Sequence, residues 1–446
     1  MDIYLHTLGC RLNEAEMEGW ARDLSASGHR VVRGPEQAQV VVLNTCAVTA
    51  AAARKSRQAV SRLHRHNPSA RLVITGCYAE MDPKRVAELA GVDLVIGNQD
   101  KARLVALIEA AIDPTSMPEI ATEPDEQHLF AASRTRAFVK VQDGCRNQCS
   151  FCVVTRLRGQ ERSKPVEQVV DEINALRDEG FNEVVITGVH LGGYGSDIGA
   201  DLRGLLLRVL SDTDIPQIRV TSLEPWDLPD DFFALWANPR LGAHLHLPLQ
   251  SGCDSVLRRM ARRCMTGDFR RLVASARAVI PELTLTTDVI VGFPGETQAE
   301  WEATLAFVEE VGFAHLHIFT WSPRAGTRAS TLPDRVPADL QRARSQEIHA
   351  LGEVMKAAHM ARFVGQVRPV LWEGSGEPED GGWRWQGYTD NYLRVEVIAP
   401  EGVALRNQRL PTRLGGHDGE RYQGVLVDAP ASAPRAQSAE GMSSST

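Results

Sequence analysis

The run Gly144-Cys145-Arg146-Asn147-Gln148-Cys149-Ser150-Phe151-Cys152 decides how the rest of the chain is read. Its three cysteines stand at C-x3-C-x2-C, directly after an apolar run at 137–141 that reads as a strand. Three thiolates this close in sequence can hold three corners of a cubane iron–sulfur cluster. Such clusters usually take four cysteines, so one iron is left open to another ligand. Zinc wants four closed ligands or three plus water, and no fourth ligand stands beside the triplet. Three cysteines cannot pair off into disulfides, and short intracellular cysteine clusters bind metal more often than they staple a fold.

At 446 residues the chain is too long for one ordinary core and implies two or three domains. Its start has no basic region followed by a long apolar run, and no stretch approaches the ~20 apolar residues that cross a bilayer. The expectation is a cytoplasmic protein with no membrane partner, in a compartment where thiols stay free for metal. A net charge of −8 argues mildly against a nucleic-acid partner. Its distribution matters more. Arg54, Lys55, Arg57, Arg62 and Arg65 form one run without an acid; Arg258, Arg259, Arg262, Arg263, Arg270 and Arg271 form another, offset by Asp268.

Residues 1–112 alternate short apolar runs (3–7, 40–43, 71–75, 93–96) with helical patterns (13–26, 50–65, 101–112). This pattern predicts a flavodoxin-like parallel sheet covered on both faces. Cys10, Cys46 and Cys77 each follow a strand. In a parallel sheet those loops share one edge, where ligands bind. Three cysteines converging there point to a second cluster with an open iron, against the plainer reading of buried cysteines as small hydrophobes. Pro114, Pro118 and Pro124 mark 113–135 as a linker. From 136 to 360 six strand–helix units predict an open, partial (βα)6 barrel with its chemistry at the carboxyl ends of the strands. Loops there carry Gly188, Ser222, Glu224, Gln250 and Gly292. Glycine lets backbone approach a ligand, and Glu224 and Gln250 suit the amino-acid or ribose part of S-adenosylmethionine (SAM). Cys253 and Cys264 have no cysteine partner nearby and read as structural.

Residues 361–428 hold short alternating runs at 367–372, 383–388, 392–398 and 425–427, the pattern of a small β-barrel of the kind that grips single-stranded nucleic acid. Trp372, Trp383, Trp385, Tyr388 and Tyr392 could stack bases or fill that barrel, and eight Lys+Arg against ten Asp+Glu make it net acidic. The tail, 429–446, is rich in Ala, Ser, Pro and Gly and reads as disordered.

The cysteine triplet with Phe151 before its last member resembles the hallmark of the radical-SAM enzymes. The order of parts over 1–428 resembles the methylthiotransferases: an N-terminal three-cysteine domain, a radical-SAM partial barrel and a TRAM-like β-barrel. Arg158-Gly159-Gln160-Glu161-Arg162-Ser163, Leu249-Gln250-Ser251-Gly252 and Asp288–Thr297 match the family's elements too. Thr7–Asn13, Ser56-Arg57-Gln58, Gly76–Ala79 and Gly387–Tyr392 resemble the branch acting on N6-threonylcarbamoyladenosine in tRNA. Departures are Cys253 and Cys264, where small polar or aromatic residues are usual, Trp321 in place of a tyrosine, and the acidic balance of the barrel.

The resemblance implies an enzyme with two [4Fe–4S] clusters, one on Cys145, Cys149 and Cys152 that also coordinates SAM, and an auxiliary one on Cys10, Cys46 and Cys77. SAM then serves as both radical source and methyl donor, with SAM contacts from Phe151, Gly188, Ser222, Glu224, Gln250 and Gly292. Implied partners are a tRNA anticodon loop, an electron donor such as flavodoxin or ferredoxin, and a sulfur source. The product is a methylthio group on C2 of N6-threonylcarbamoyladenosine at position 37. Alternatives are a relative acting on isopentenyladenosine or on a ribosomal-protein side chain, and a non-catalytic iron–sulfur RNA-binding protein.

Overall fold

The computed structural model describes residues 1–112 and 135–427. The linker expected at 113–135, save Thr135, and the disordered tail expected at 429–446 lie outside them. The chain divides into two compact units, Met1–His359 and the part from Met360 on.

The first unit opens with β1 (Asp2–Thr7), β2 (Arg30–Val31), β3 (Val40–Thr45), β4 (Arg71–Gly76) and β5 (Val92–Ile96). They form one parallel sheet in the order β2-β1-β3-β4-β5. This is the flavodoxin-like order, with its ligand crevice at the β1/β3 switch point. β3 reads VVVLNT and is buried at every position, as a strand covered on both faces must be. The helices are α1 (Arg11–Ala26), α2 (Ala50–His66), α3 (Cys77–Met81), α4 (Pro83–Ala87) and α5 (Leu104–Ala111). One apolar cluster joins Met17, Trp20 and Leu24 of α1 to Leu104 and Ile108 of α5. A second gathers Ala59, Val60 and Leu63 of α2. Thr49 starts α2 by accepting the Ala52 N–H at 3.0 Å. The buried stripe of α2 leaves Arg54, Lys55, Arg57, Arg62 and Arg65 exposed.

The same unit continues with six parallel strands: β6 (Arg136–Lys140), β9 (Glu183–Thr187), β10 (Gln217–Val220), β11 (His244–His246), β12 (Thr284–Val291) and β13 (His315–Thr320). They pair as β6-β9-β10 and β11-β12-β13. A parallel bridge, Ile218 to Leu241, and the Leu223 N–H to His246 carbonyl bond of 2.9 Å join the halves. The result is the open barrel predicted from the sequence. A short antiparallel ribbon, β7 (Gln142–Asp143) with β8 (Arg162–Ser163), brackets the cysteine triplet. The helices are α6 (Val154–Arg158), α7 (Val166–Asp178), α8 (Leu202–Asp212), α9 (Asp254–Arg259), α10 (Thr266–Val279), α11 (Gln298–Val311) and α12 (Ala338–Ala361). Thr297 and Glu300 form a capping box that starts α11.

The second unit is a closed barrel of β14 (Val367–Glu379), β15 (Gly382–Thr389), β16 (Arg394–Ala399), β17 (Arg409–His417) and β18 (Tyr422–Leu426), in the order β14-β15-β16-β18-β17. β17 was not among the runs picked out of the sequence, because Pro411 and two glycines dilute its alternation. Trp372 and Trp385 fill the barrel, and Trp383 packs against that core. Tyr388 and Tyr392 instead stack on one another, their ring centroids 4.8 Å apart.

Candidate active site

The sheet order brings Cys10, Cys46 and Cys77 to one edge. Cys10 precedes α1, Cys46 follows β3 and Cys77 opens α3; all three are free. Two glycines let their loops close on each other. A Cβ on Gly9 (φ +114°) would stand 2.6 Å from Cys46 Cβ, and one on Gly76 (φ +97°) 2.3 Å from the Thr45 carbonyl. Asn13 ties the loops by donating to the Leu8 carbonyl (2.8 Å) and the Thr45 carbonyl (3.2 Å). Burial first, then the neighbouring Cys10 and Cys77, push the Cys46 thiol up to about 11.

Cys145, Cys149 and Cys152 sit half-buried on the loop between β7 and α6. The Asn147 N–H donates to Cys145 Sγ and the Val154 N–H to Cys152 Sγ, each at 3.4 Å. Arg262 lies 3.8 Å from Cys149 Sγ. Ser150 anchors the loop by bonds to the Met260 and Arg259 carbonyls, and Phe151 meets Phe293 edge-on. Burial is the main cause that drives the Cys145 thiol up to about 12 and Cys152 to about 11. Thiolates in such a place need cationic metal beside them.

Among the described residues no three His, Cys, Asp or Glu side chains are gathered as a single metal ion would need. Ligands of one zinc, at about 2.3 Å per bond, must sit nearly in contact; the corners of a cubane stand farther apart. The donor sets fit a [4Fe–4S] cluster twice: sulfur only, three per set, with backbone N–H groups aimed at sulfur in the second.

The other residues singled out from the sequence line the carboxyl ends of the strands. Gly188 follows β9, Ser222 and Glu224 follow β10, Gln250 follows β11 and Gly292 follows β12. Gln250 holds φ +74°, a strained conformation for a side-chain-bearing residue. A Cβ on Gly292 would meet Gln341 Cγ at 2.5 Å. Burial pushes the Glu224 carboxyl up, and its Oε2 has no hydrogen-bond partner. That oxygen, 3.9 Å from His190 Nε2 and close enough to Cys145 to raise its thiol, is suited to the ammonium of an amino acid. Beside Cys149 a cavity of about 360 Å³ is lined by Asn147, Trp226, Arg146, Arg263 and Arg328.

Two polar clusters escaped the sequence reading. His190, with no exposed surface, is held by Glu161 at Nδ1 and Asp227 at Nε2 (2.6 Å). Asn147 lies 3.0 Å from that Nε2. Burial opposes its charge, but Asp227, Glu224 and Glu161 overcome it and raise its pKa to about 9. The second cluster joins the two cysteine sets. Arg158 meets Glu16, Asp143 and Asn13, and Lys101 and Lys140 complete the cage around Glu16. Arg158 and Glu161 stand in the motif quoted above, the one signal the sequence offered. Cys253 and Cys264 are free, and neither belongs to a cysteine set.

Fold and site together define a radical-SAM enzyme. Residues 139–308 match the Radical SAM superfamily model, and residues 2–97 match the model described as uncharacterized protein family UPF0004. Its fold resembles that of the radical S-adenosylmethionine methyltransferase TsrM from Kitasatospora setae, at a TM-score of 0.52 and 16% identity over 71% of this chain and 72% of that one. The chain is 34% identical to the threonylcarbamoyladenosine tRNA methylthiotransferase MtaB of Bacillus subtilis over 95% of its own length and 96% of the relative's. The Thermotoga maritima protein of the same name is 35% identical over 89% and 91%. The ribosomal protein uS12 methylthiotransferase RimO of Anaeromyxobacter is 36% identical over 84% and 82%. The chain belongs to the methylthiotransferase family of radical-SAM enzymes and is of the MtaB type. Its cofactors are accordingly SAM and [4Fe–4S] clusters. Among the described residues no helix is long and apolar enough to cross a membrane.

Proposed function

We propose that the chain adds a methylthio group to C2 of N6-threonylcarbamoyladenosine at position 37 of tRNA. The observation carrying this reading is the presence of two separate three-cysteine sets in one compact unit. Cys145, Cys149 and Cys152 would hold the cluster that coordinates SAM, and Cys10, Cys46 and Cys77 the auxiliary one. When bound, these groups supply reductive cleavage of SAM and the sulfur for carbon–sulfur bond formation.

The chain's own residues position and enclose that chemistry. Backbone N–H groups of Asn147 and Val154 stabilise charge on sulfur. Phe151, wedged on Phe293, fixes the loop. Gly188, Ser222 and Gly292 give backbone access to SAM, and Glu224 and Gln250 bind its amino-acid or ribose part. Arginines 146, 263 and 328 give the cavity an anion-binding wall for the substrate. The basic face of α2 and the Tyr388–Tyr392 pair meet the RNA, whose single-stranded anticodon loop presents accessible bases. An electron donor such as flavodoxin or ferredoxin and a sulfur source complete the system, in the cytoplasm. The division into 1–112, 136–360 and 361–428 as domains belongs to the same proposal.

Nucleoside mass spectrometry of tRNA from a deletion strain tests it. The methylthio form of threonylcarbamoyladenosine disappears and returns on complementation; an unchanged nucleoside profile would discard the substrate.

A further inference from the structure

One side chain reaches toward both cysteine sets. Arg158 ends α6 with 2% of its side chain exposed. Its Nη1 donates to Glu16 Oε1 at 2.9 Å and Asp143 Oδ1 at 3.0 Å, and its Nη2 to Asn13 Oδ1 at 2.9 Å. Asn13 in turn holds the Leu8 and Thr45 carbonyls, the backbone just ahead of Cys10 and Cys46. Asp143 Oδ1 accepts the Gly144 N–H at 2.8 Å, just ahead of Cys145. Two of the three bonds of this guanidinium therefore go to a group that braces one set or the other, Asn13 the first and Asp143 the second.

The charges around it do not cancel. Glu16 and Asp143 are the two carboxylates. Lys101 (2.6 Å from Glu16), Lys140 (3.0 Å from Glu16, 2.9 Å from Asp143) and Arg158 are the three cations. Arg162, 3.9 Å from Asp143, is 45% exposed and screened by solvent. One positive charge is in surplus where Lys101, Glu16 and Arg158 are almost sealed from water. A buried charge without a counter-charge is strongly unfavourable. The anions at hand are the N-terminal sulfurs: Cys10 Sγ lies 3.9 Å from Asn13 Oδ1, the oxygen that accepts from Arg158 Nη2.

We propose that Arg158 is a positioning residue that ties the two cysteine sets together, and that its surplus positive charge raises the reduction potential of the cluster on Cys10, Cys46 and Cys77. The inference rests on the reading that both sets carry clusters. A cluster gains negative charge on reduction, so a fixed cation beside it favours the reduced form; net charge and hydrogen bonding are among the levers that set such potentials.

The test uses the full chain with Cys145, Cys149 and Cys152 changed to alanine, reconstituted anaerobically so that only the N-terminal set can hold iron. The cluster potential is read by spectroscopically monitored redox titration. Arg158→Met leaves Lys101 with Glu16 and Lys140 with Asp143, a neutral group that should fold, and the potential falls. Glu16→Gln, or Asp143→Asn if that variant is unstable, leaves three cations to one carboxylate, and the potential rises. Arg158→Lys keeps the charge without the fork, so the potential holds. With all six cysteines present, Arg158→Lys loses methylthio product about tenfold, the usual scale for groups behind metal ligands, while SAM cleavage persists. Shifts of one sign for Arg158→Met and Glu16→Gln, or no shift in either, overturn the proposal. If the triple-alanine protein binds no iron, the two-cluster reading itself has failed, and this inference falls with it.

Discussion

Gly144 is the residue on which the seat of the second cysteine set turns, and replacing it with alanine gives a calculable result. Its φ is +75°, and an added Cβ would stand 1.9 Å from the Gln160 carbonyl oxygen, 2.5 Å from Gln160 C and 2.9 Å from the Gly159 oxygen. All three are backbone atoms at the far side of the β7–β8 ribbon, so no side chain can swing away. A left-handed alanine costs about 1–2 kcal/mol, and forcing the ribbon apart adds about 1–3 kcal/mol. The sum, about 2–5 kcal/mol, leaves a typical protein folded. For a unit of this size it lowers Tm by about 3–7 °C. Relief comes by moving Cys145, whose N–H is bonded to the Gly159 carbonyl at 3.1 Å. Displacement by about 1 Å is enough to cost up to ~100-fold in rate. Gly180→Ala is the matched control: its φ is +93°, but a Cβ there meets nothing within 4 Å. The assays are thermal unfolding and anaerobic formation of 5′-deoxyadenosine from SAM. Gly144→Ala loses at least about tenfold in cleavage, and Gly180→Ala loses none. Equal behaviour of the two variants would refute the close approach and its role.

The cysteine sets are separable by substitution: Cys149→Ala abolishes SAM cleavage, whereas Cys46→Ala spares cleavage and stops methylthio product, read by chromatography of both products. Stability should also respond to pH through His190, facing Glu161, Glu224 and Asp227 with Arg146 beyond them. Its pKa is raised to about 9 from an unfolded value of about 6.5, so its contribution is complete below about 6.5 and is lost as pH climbs through 9. The Tm gap between wild type and His190→Asn therefore narrows between those limits, and a gap that widens there would contradict the assignment. In the C-terminal barrel, Tyr388→Ala weakens tRNA binding by about 1–3 kcal/mol, the worth of one stacked base, and leaves SAM cleavage alone. Filter binding measures it, and undiminished affinity would remove the tyrosine pair from the RNA surface.

What the sequence disclosed was whatever recurs locally. Six cysteines could be placed because each follows a strand or lies in one nine-residue run, and parallel topology does the rest. The sheet order likewise follows from alternating apolar runs. Glu16 was invisible: it sits among polar neighbours of α1, and its partners Lys101, Lys140 and Arg158 are 85 to 142 residues away. Lys101 and Asn44 of the N-terminal sheet region meet it on one side and Lys140 and Arg158 of the barrel on the other. His190 lies two residues past Gly188 in the same loop, but its carboxylate partners come from two other loops. Of the two basic runs, the one at 258–271 has Arg259, Arg270 and Arg271 paired with Glu300, Glu310 and Asp268, which leaves the α2 face as the stronger basic surface. The five aromatics of the barrel could be sorted only by their packing: two tryptophans are core, Trp383 lies against that core and the two tyrosines are a stacked pair.

Iron counting on protein purified and reconstituted without oxygen goes to the centre of the account. Two cubanes predict about eight iron and eight labile sulfide per chain, falling to about four when Cys10, Cys46 and Cys77 are replaced by alanine. About four iron in the unaltered chain, with zinc or nothing on the N-terminal cysteines, would contradict it.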